Sequence, residues 1–436
     1  MKNTPINHEI VRDKIRESGL ENVGKGSIRE IVKLVNEIEK ASGVKYIRME
    51  MGVPGLPSSV IGTDAEIAAL KNGISSVYPP MEGLPDLKNE TARFLKYFAN
   101  ADFSPLGCIP CVGSMQGSMA SIMVATKCFQ GKTKTLFIDP GFPVQKLQCT
   151  ALGQGTYSFD IYNYRGLKLK EKLEYFLDKG DVGCILYSNP NNPTWVCLNE
   201  LELEIIGELA NKYNVIVIED LAYFGMDFRN DIQKPGEPPF QPTVRWFTEN
   251  CILLFSGSKV FSYAGQRIGM IAMPDTLFLK RFMYLEPFFG TDEFGHAIIY
   301  GALYALSAGT AHSTQFALAA ILKAANEGEL KFIDEIREYE IRAHIMKKLF
   351  IENGFSIVYD KDEEKPLGDG FYFTISYPGY TGSKLMEELL YYGISSVTLD
   401  ITGSSKEGLR ACVSQFKTDQ KEILYERLKH FNANHS

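Results

Sequence analysis

Between about Phe103 and Met273 the chain alternates short, almost continuously apolar runs with longer stretches whose apolar positions recur at helical period. The short runs are "TLFIDP" (Thr135 to Pro140), "GCILYSNP" (Gly183 to Pro190), "VIVIED" (Val215 to Asp220), "CILLFSGS" (Cys251 to Ser258) and "GMIAMP" (Gly269 to Pro274). Each ends in a polar or Gly/Pro turn. Between them lie segments such as "LNELELEIIGELANKYN" (Leu198 to Asn214). Strands this uniformly aliphatic are buried on both faces, so the pattern predicts an α/β domain with a mostly parallel sheet flanked by helices. Past about Ala325 the pattern changes. "EGELKFIDEIREYEIRAHIMKKLFIENG" predicts one long charged helix, and "GFYFTISYP" and "GLRACVSQF" predict short strands of a smaller α+β domain. The expected division is an N-terminal segment 1–65 packing with the small domain, a large domain 66–324 and a small domain 325–436.

Open sheets of this kind bind ligands beyond the carboxyl ends of their strands, and the unusual polar residues fall there. "LYSNPNNPTW" (Leu186 to Trp195) is a rigid Asn/Pro turn able to aim a side-chain amide such as that of Asn192; read alone, it is equally a plain connecting loop. In "IEDLAYFGMDF", Asp220 closes an aliphatic run and Tyr223 follows one helical turn later; read alone, Asp220 is a helix N-cap. In "FSGSKVFSYAGQRIG", Lys259 follows Ser256 and Ser258, and Arg267 comes eight residues later. Hydroxyls, loop amides and a guanidinium make an anion cup, beside which a lysine of lowered pKa can form a Schiff base. "CVGSMQGSM" (Cys111 to Met119) opens a helix whose first amides suit an anion.

The 436 residues imply more than one domain, and the net charge of −7 offers no general attraction to nucleic acid or anionic membranes. No apolar run approaches the ~18 residues of a membrane helix. The start shows no apolar secretory region, so a cytoplasmic protein is expected. Eight cysteines lack framework spacing; Cys108 and Cys111 form a lone "CIPC" without a second ligand pair, so no metal is expected. "GKT" (Gly131 to Thr133) lacks a phosphate loop's earlier glycine, Thr126 standing there.

Together these residues specify pyridoxal 5'-phosphate. The cofactor needs a phosphate cup, a Schiff-base lysine, a carboxylate (Asp220) for the pyridine nitrogen, donors (Tyr223, Asn192) for the ring oxygen and an aromatic cover, for which Phe142 in "DPGFPVQ" is well placed.

In its order of motifs, "NPNNPT", "EDLAY", "SGSK" with Arg267 and a late "GLR", the sequence resembles the class I/II aminotransferases, fold type I of the pyridoxal-phosphate enzymes, from "MGVPGLP" to "EGLRACVS". The resemblance implies that Lys259 carries the internal aldimine, Asp220 pairs with the pyridine nitrogen, and Asn192 and Tyr223 bind the ring oxygen. It gives the phosphate to Ser256, Ser258, Arg267 and the Ser114 and Met115 amides, with Phe142 stacked on the ring. Tyr78, in "SVYPPMEGLPDLK", is similar to a tyrosine that reaches the neighbouring subunit's phosphate, which implies a homodimer with shared sites. Gly52 and Arg410 are similar to residues at the substrate α-carboxylate, and Asn192 also counts as substrate-binding; a surface arginine is the lesser alternative for Arg410. The implied activity is transfer of an amino group between an L-amino acid and a 2-oxo acid. A lyase or decarboxylase on the same cofactor is the alternative, since fold does not choose the bond broken. A non-catalytic cofactor-sensing domain is a remoter one, lacking the basic DNA-binding module. Two departures stand out. Trp195 replaces the usual glycine after "NPT", either projecting toward substrate or packing in a core, and the stretch Arg281 to Gln315 is longer than usual, without an evident arginine for acidic side chains.

Overall fold

The structure is a computed structural model that describes residues 4–435. The chain divides into two compact units. The large unit takes Leu56–Asn191 and Cys197–Ile336. The small unit takes the chain up to Gly55, the segment Asn192–Val196 and the chain from Arg337 onward. These limits differ from the expected 65 and 324 for packing reasons. The helix Val60–Lys71 lies against the helix His312–Asn326 in the large unit. Phe332 packs its ring on Phe94, Phe98 and Phe261, which holds the chain to Ile336 there as well.

The large unit is built on a seven-stranded sheet of β1 (Cys108–Cys111), β2 (Lys134–Asp139), β3 (Thr156–Asp160), β4 (Val182–Ser188), β5 (Ile216–Leu221), β6 (Cys251–Ser256) and β7 (Gly269–Ala272). Its order is β1-β7-β6-β5-β4-β2-β3. The strands β6, β5, β4, β2 and β3 are mutually parallel, and β7 runs antiparallel to both β6 and β1. Every residue of β4, β5 and β6 is buried, as their aliphatic runs require. Full burial of each Val, Leu, Ile or Phe side chain among them is worth roughly 1.5–3 kcal/mol. Helices α1 (Gly113–Ala125), α2 (Pro143–Ala151) and α3 (Glu200–Tyr213) lie on the connections β1–β2, β2–β3 and β4–β5. Asn199 starts α3 with a capping box to Glu202, and Asn214 ends it in the left-handed region at φ 48°.

In the small unit, Val397–Thr398, Leu409–Cys412, Tyr372–Ser376 and Ser356–Ile357 form an antiparallel sheet in that order. Ile47–Arg48 pairs in parallel with Ile394–Ser395, which binds the N-terminal chain into this unit. The single long helix expected after Ala325 is instead two, Phe332–Ile336 and Glu338–Glu352, broken at Arg337 where the units divide. No helix among the described residues is long and apolar enough to cross a membrane.

Candidate active site

Sheet register assembles the anion cup of the large unit. Ser256 of β6 lies opposite Gly269 of β7, and Gly269 lies opposite Cys111 of β1. One row across the sheet thus brings together the Ser256–Lys259 turn, the approach to β7 that bears Arg267, and the start of α1. Ser256 accepts a hydrogen bond from the Ser258 amide at 3.1 Å and caps the short helix Gly257–Val260, on which Lys259 stands. Arg267, itself in the left-handed region at φ 54°, reaches Ser258 Oγ at 3.4 Å and donates to the Ala264 carbonyl at 2.9 Å.

Gly113 lets the guanidinium close on the first turn of α1. A Cβ there would fall 2.5 Å from Arg267 Nη2, and φ of +69° would strain any other residue. A Cβ on Gly269 would lie 3.0 Å from the Ser114 amide nitrogen. The opening amides of a helix, Ser114 and Met115 among them, have no carbonyl partner within it and carry the positive end of its dipole. The Met115 carbonyl is held by Ser118 and Gln148 at 3.0 and 2.8 Å, which fixes the turn.

Asp220, near the end of β5, caps no long helix. It is 7% exposed and accepts from the Ala222 amide at 3.1 Å and from the Gln145 side chain at 2.9 Å. Both donors are neutral, and burial pushes its carboxyl up to about 6. Tyr223 follows, also buried. Phe142 is the half-buried N-cap residue of α2, the helix that carries Gln145 on its first turn. Gln145 was invisible in the sequence because nothing in "FPVQK" marks which helix face meets β5.

The loop after β4 is fastened at both ends within the large unit. The Leu198 amide donates to Asn189 Oδ1 at 3.1 Å, and Asn191 donates to the Pro140 carbonyl at 2.7 Å. Its middle, Asn192 to Val196, belongs to the small unit. Trp195 is 1% exposed there at φ 65°, with its indole on Gly370 and Tyr372, so it packs in the core of the small unit.

Arg410 also lies in the small unit, on the strand Leu409–Cys412, and is 1% exposed rather than a surface residue. Its guanidinium sits over the Tyr372 ring at 4.9 Å and donates to the Glu50 carbonyl at 2.5 Å. Its Nε is buried without a hydrogen-bond partner among the described residues. A buried guanidinium so left is costly unless an anion meets it. Gly52 comes up against the same tyrosine, since a Cβ there would stand 2.0 Å from the Tyr372 hydroxyl. Tyr372 thus gathers both carboxylate candidates, a role that sequence spacing gave no sign of.

Tyr78 is 88% exposed, next to an apolar face that includes Val60, Ile67, Leu70 and Val77. The long stretch after Arg281 braces its loop: Tyr300, within a π-helical turn, bonds Glu82, while Ser307 accepts from Gln116 of α1 at 2.7 Å. Arg281 pairs with Asp292 on the surface. Cys108 and Cys111 are buried in β1, where burial pushes both thiols up to about 12.

The residues fit a phosphorylated pyridine. The large unit offers an anion cradle that a single methyl group would fill, and a buried carboxylate served only by neutral donors is the complement of a protonated ring nitrogen. The family model for aminotransferase class I and II matches residues 54–428. Over 261 residues the chain is 27% identical to a probable aspartate aminotransferase of Methanocaldococcus jannaschii, covering 60% of this chain and 64% of the relative. Over 245 residues it is 27% identical to an LL-diaminopimelate aminotransferase of Halothermothrix orenii, covering 55% of this chain and 60% of the relative. The chain thus spans less than two thirds of these curated relatives. The fold is similar to that of a Thermus thermophilus aspartate aminotransferase solved with maleate, with a TM-score of 0.73, 16% identity and coverage of 97% of this chain and 98% of the other. It is also similar to an alanine aminotransferase from Pyrococcus furiosus, with a TM-score of 0.74, 21% identity and coverage of 94% and 98%.

Proposed function

We propose that this chain, which belongs to the class I and II aminotransferases, moves an amino group between an L-amino acid and a 2-oxo acid using pyridoxal 5'-phosphate attached to Lys259. The observation that carries this reading is the pairing, at the same end of neighbouring strands of one sheet, of the Gly113–Arg267 cradle with the buried, neutrally held Asp220. When bound, the cofactor supplies an electron sink for the bond broken at the substrate α-carbon.

The chain's own residues do the rest. Arg267, Ser256, Ser258 and the Ser114 and Met115 amides hold the phosphate. Asp220, oriented by Gln145, keeps the ring nitrogen protonated, because the negative carboxylate favours the cationic ring. Tyr223 and Asn192 donate to the ring oxygen, and Phe142 covers one ring face. Arg410 grips the α-carboxylate with its planar fork, beside Gly52. Lys259 Nζ would carry a proton to and from the substrate α-carbon. The active unit is a homodimer, with Tyr78 of each chain serving the other's phosphate in a closed two-fold arrangement. The exposed apolar face around Tyr78 supports this.

The test uses one amino donor and no acceptor. The holoenzyme should release one 2-oxo acid per subunit and stop, with its cofactor left as pyridoxamine phosphate. Continuous release of ammonia, thiol or carbon dioxide would establish the lyase or decarboxylase reading instead. Borohydride reduction and peptide mapping should find the label on Lys259; a label on another lysine overturns the attachment.

A further inference from the structure

We infer that Trp195 is a positioning residue for the carboxylate site, acting on Arg410 through Tyr372. The inference rests on the reading of Arg410 given above. Trp195 holds a left-handed backbone, φ 65°, which any side chain beyond glycine disfavours. A residue kept there against its own preference is fixed by its surroundings, and the ring neighbours Gly370 and Tyr372 both belong to the small unit.

The indole fills space that only glycine leaves open. A Cβ on Gly370 would fall 2.1 Å from indole Cε2, so position 370 is backbone against ring. Two residues on, Tyr372 meets the indole edge-on, with centroids 6.2 Å apart and planes at 65°. Strand register places Tyr372 next in line to Arg410. Thr374 lies opposite Arg410, and Tyr372, two residues before Thr374, shares its face of the sheet. The guanidinium then rests on the tyrosine ring at 4.9 Å. Because the Tyr372 hydroxyl is stopped at Gly52, the ring is confined on the indole side, the arginine side and at its tip. Removing the indole frees one of these three sides, and the arginine loses its fixed plane.

Every amino acid and 2-oxo acid substrate shares the α-carboxylate, so the effect on affinity must not depend on the substrate side chain. The test measures calorimetric dissociation constants of holoenzyme for pyruvate, 2-oxoglutarate and phenylpyruvate. Trp195→Ala should weaken all three by one common factor, about tenfold, which corresponds to about 1.4 kcal/mol. Arg410→Ala should weaken them more. The double variant should match Arg410→Ala alone within about twofold, since a residue acting only through Arg410 has nothing left to act on. Trp195→Phe, which keeps a ring, should recover most of the loss. Should Trp195→Ala fail to fold, Gly370→Ala, which drives a methyl group into the indole, must give the same pattern. Losses that multiply in the double variant, a loss confined to one side-chain type, or unchanged affinity would each overturn the inference while leaving Arg410 in place. Unchanged affinity in Arg410→Ala would overturn the carboxylate reading itself, and this inference with it.

Discussion

The side-chain amide of Gln145 donates to Asp220 Oδ2 at 2.9 Å, and both groups are buried, at 3% and 7% exposure. The first turn of α2 therefore decides how the carboxylate at the end of β5 is presented. Asp220 has a second donor in the Ala222 amide, so each oxygen is held by one neutral N–H group.

Gln145→Ala should slow the first half-reaction about tenfold or more, since a hydrogen bond to a charged group is worth roughly 1.5–3 kcal/mol. Single-turnover spectroscopy with one amino donor reads this directly. Rates within twofold of the parent would show that Asp220 holds its place unaided.

Asp220 also makes stability depend on pH in the cofactor-free protein. Its folded value, about 6, lies above its ordinary 3.8. The folded state therefore holds the proton more firmly, and stability falls as pH rises between these values. The loss is complete above about 6. Asp220→Asn lacks this dependence. Variant and parent should be similarly stable near pH 4, with the variant ahead by about 3 kcal/mol at neutral pH. Denaturant midpoints at the two pH values check the sign. The same substitution should abolish most turnover, because the neutral amide no longer favours a cationic ring.

Gly113→Ala should weaken cofactor affinity at least about tenfold by pushing Arg267 out of the cup, an interaction of roughly 1.5–3 kcal/mol for a charged hydrogen bond. Gly131→Ala is the control. It shares the positive φ, +80° against +69°, but its Cβ would meet nothing within 4 Å. Equilibrium dialysis of cofactor should separate the two; equal losses would mean that backbone strain alone is responsible.

Tyr78→Phe and Lys259→Ala, each impaired alone, should regain activity when their subunits are mixed, because one site per mixed dimer keeps both residues. Absence of recovery despite confirmed exchange would confine Tyr78 to its own chain or remove it from the site.

Much of this was legible in the sequence because the responsible physics is local. Runs such as Val215 to Ile218 announce strands buried on both faces, and the turn residues after them mark where a parallel sheet exposes side chains. Lys259 stands out for that reason, whereas Asp220 and Arg267 gain their meaning only together with it. The direction of β7 was less plain. The twelve residues between Ser256 and Gly269 are spent on the short helix Gly257–Val260 and the single turn Ala264–Gln266 rather than on the crossover helix that joins parallel strands, so the chain turns back beside β6. Gln145 and Tyr372 were not legible at all. The first depends on how α2 rolls against β5. The second depends on Trp195 meeting residues about 175 positions away, a contact with no local signature. The limits of the units were displaced for a similar reason, since the partner of the helix Val60–Lys71 lies beyond residue 311.

The short visit of Asn192–Val196 to the small unit also bears on how the protein comes apart. Counting it, the chain passes between units four times, after Gly55, Asn191, Val196 and Ile336. Neither unit is a continuous length of polypeptide. A single cut after Ile336 therefore liberates no domain: the C-terminal piece would leave behind the strand Ile47–Arg48 and the Trp195 indole, and with them the partners of Ile394 and Gly370. Two-part expression split at that point should yield fragments that fold only when combined.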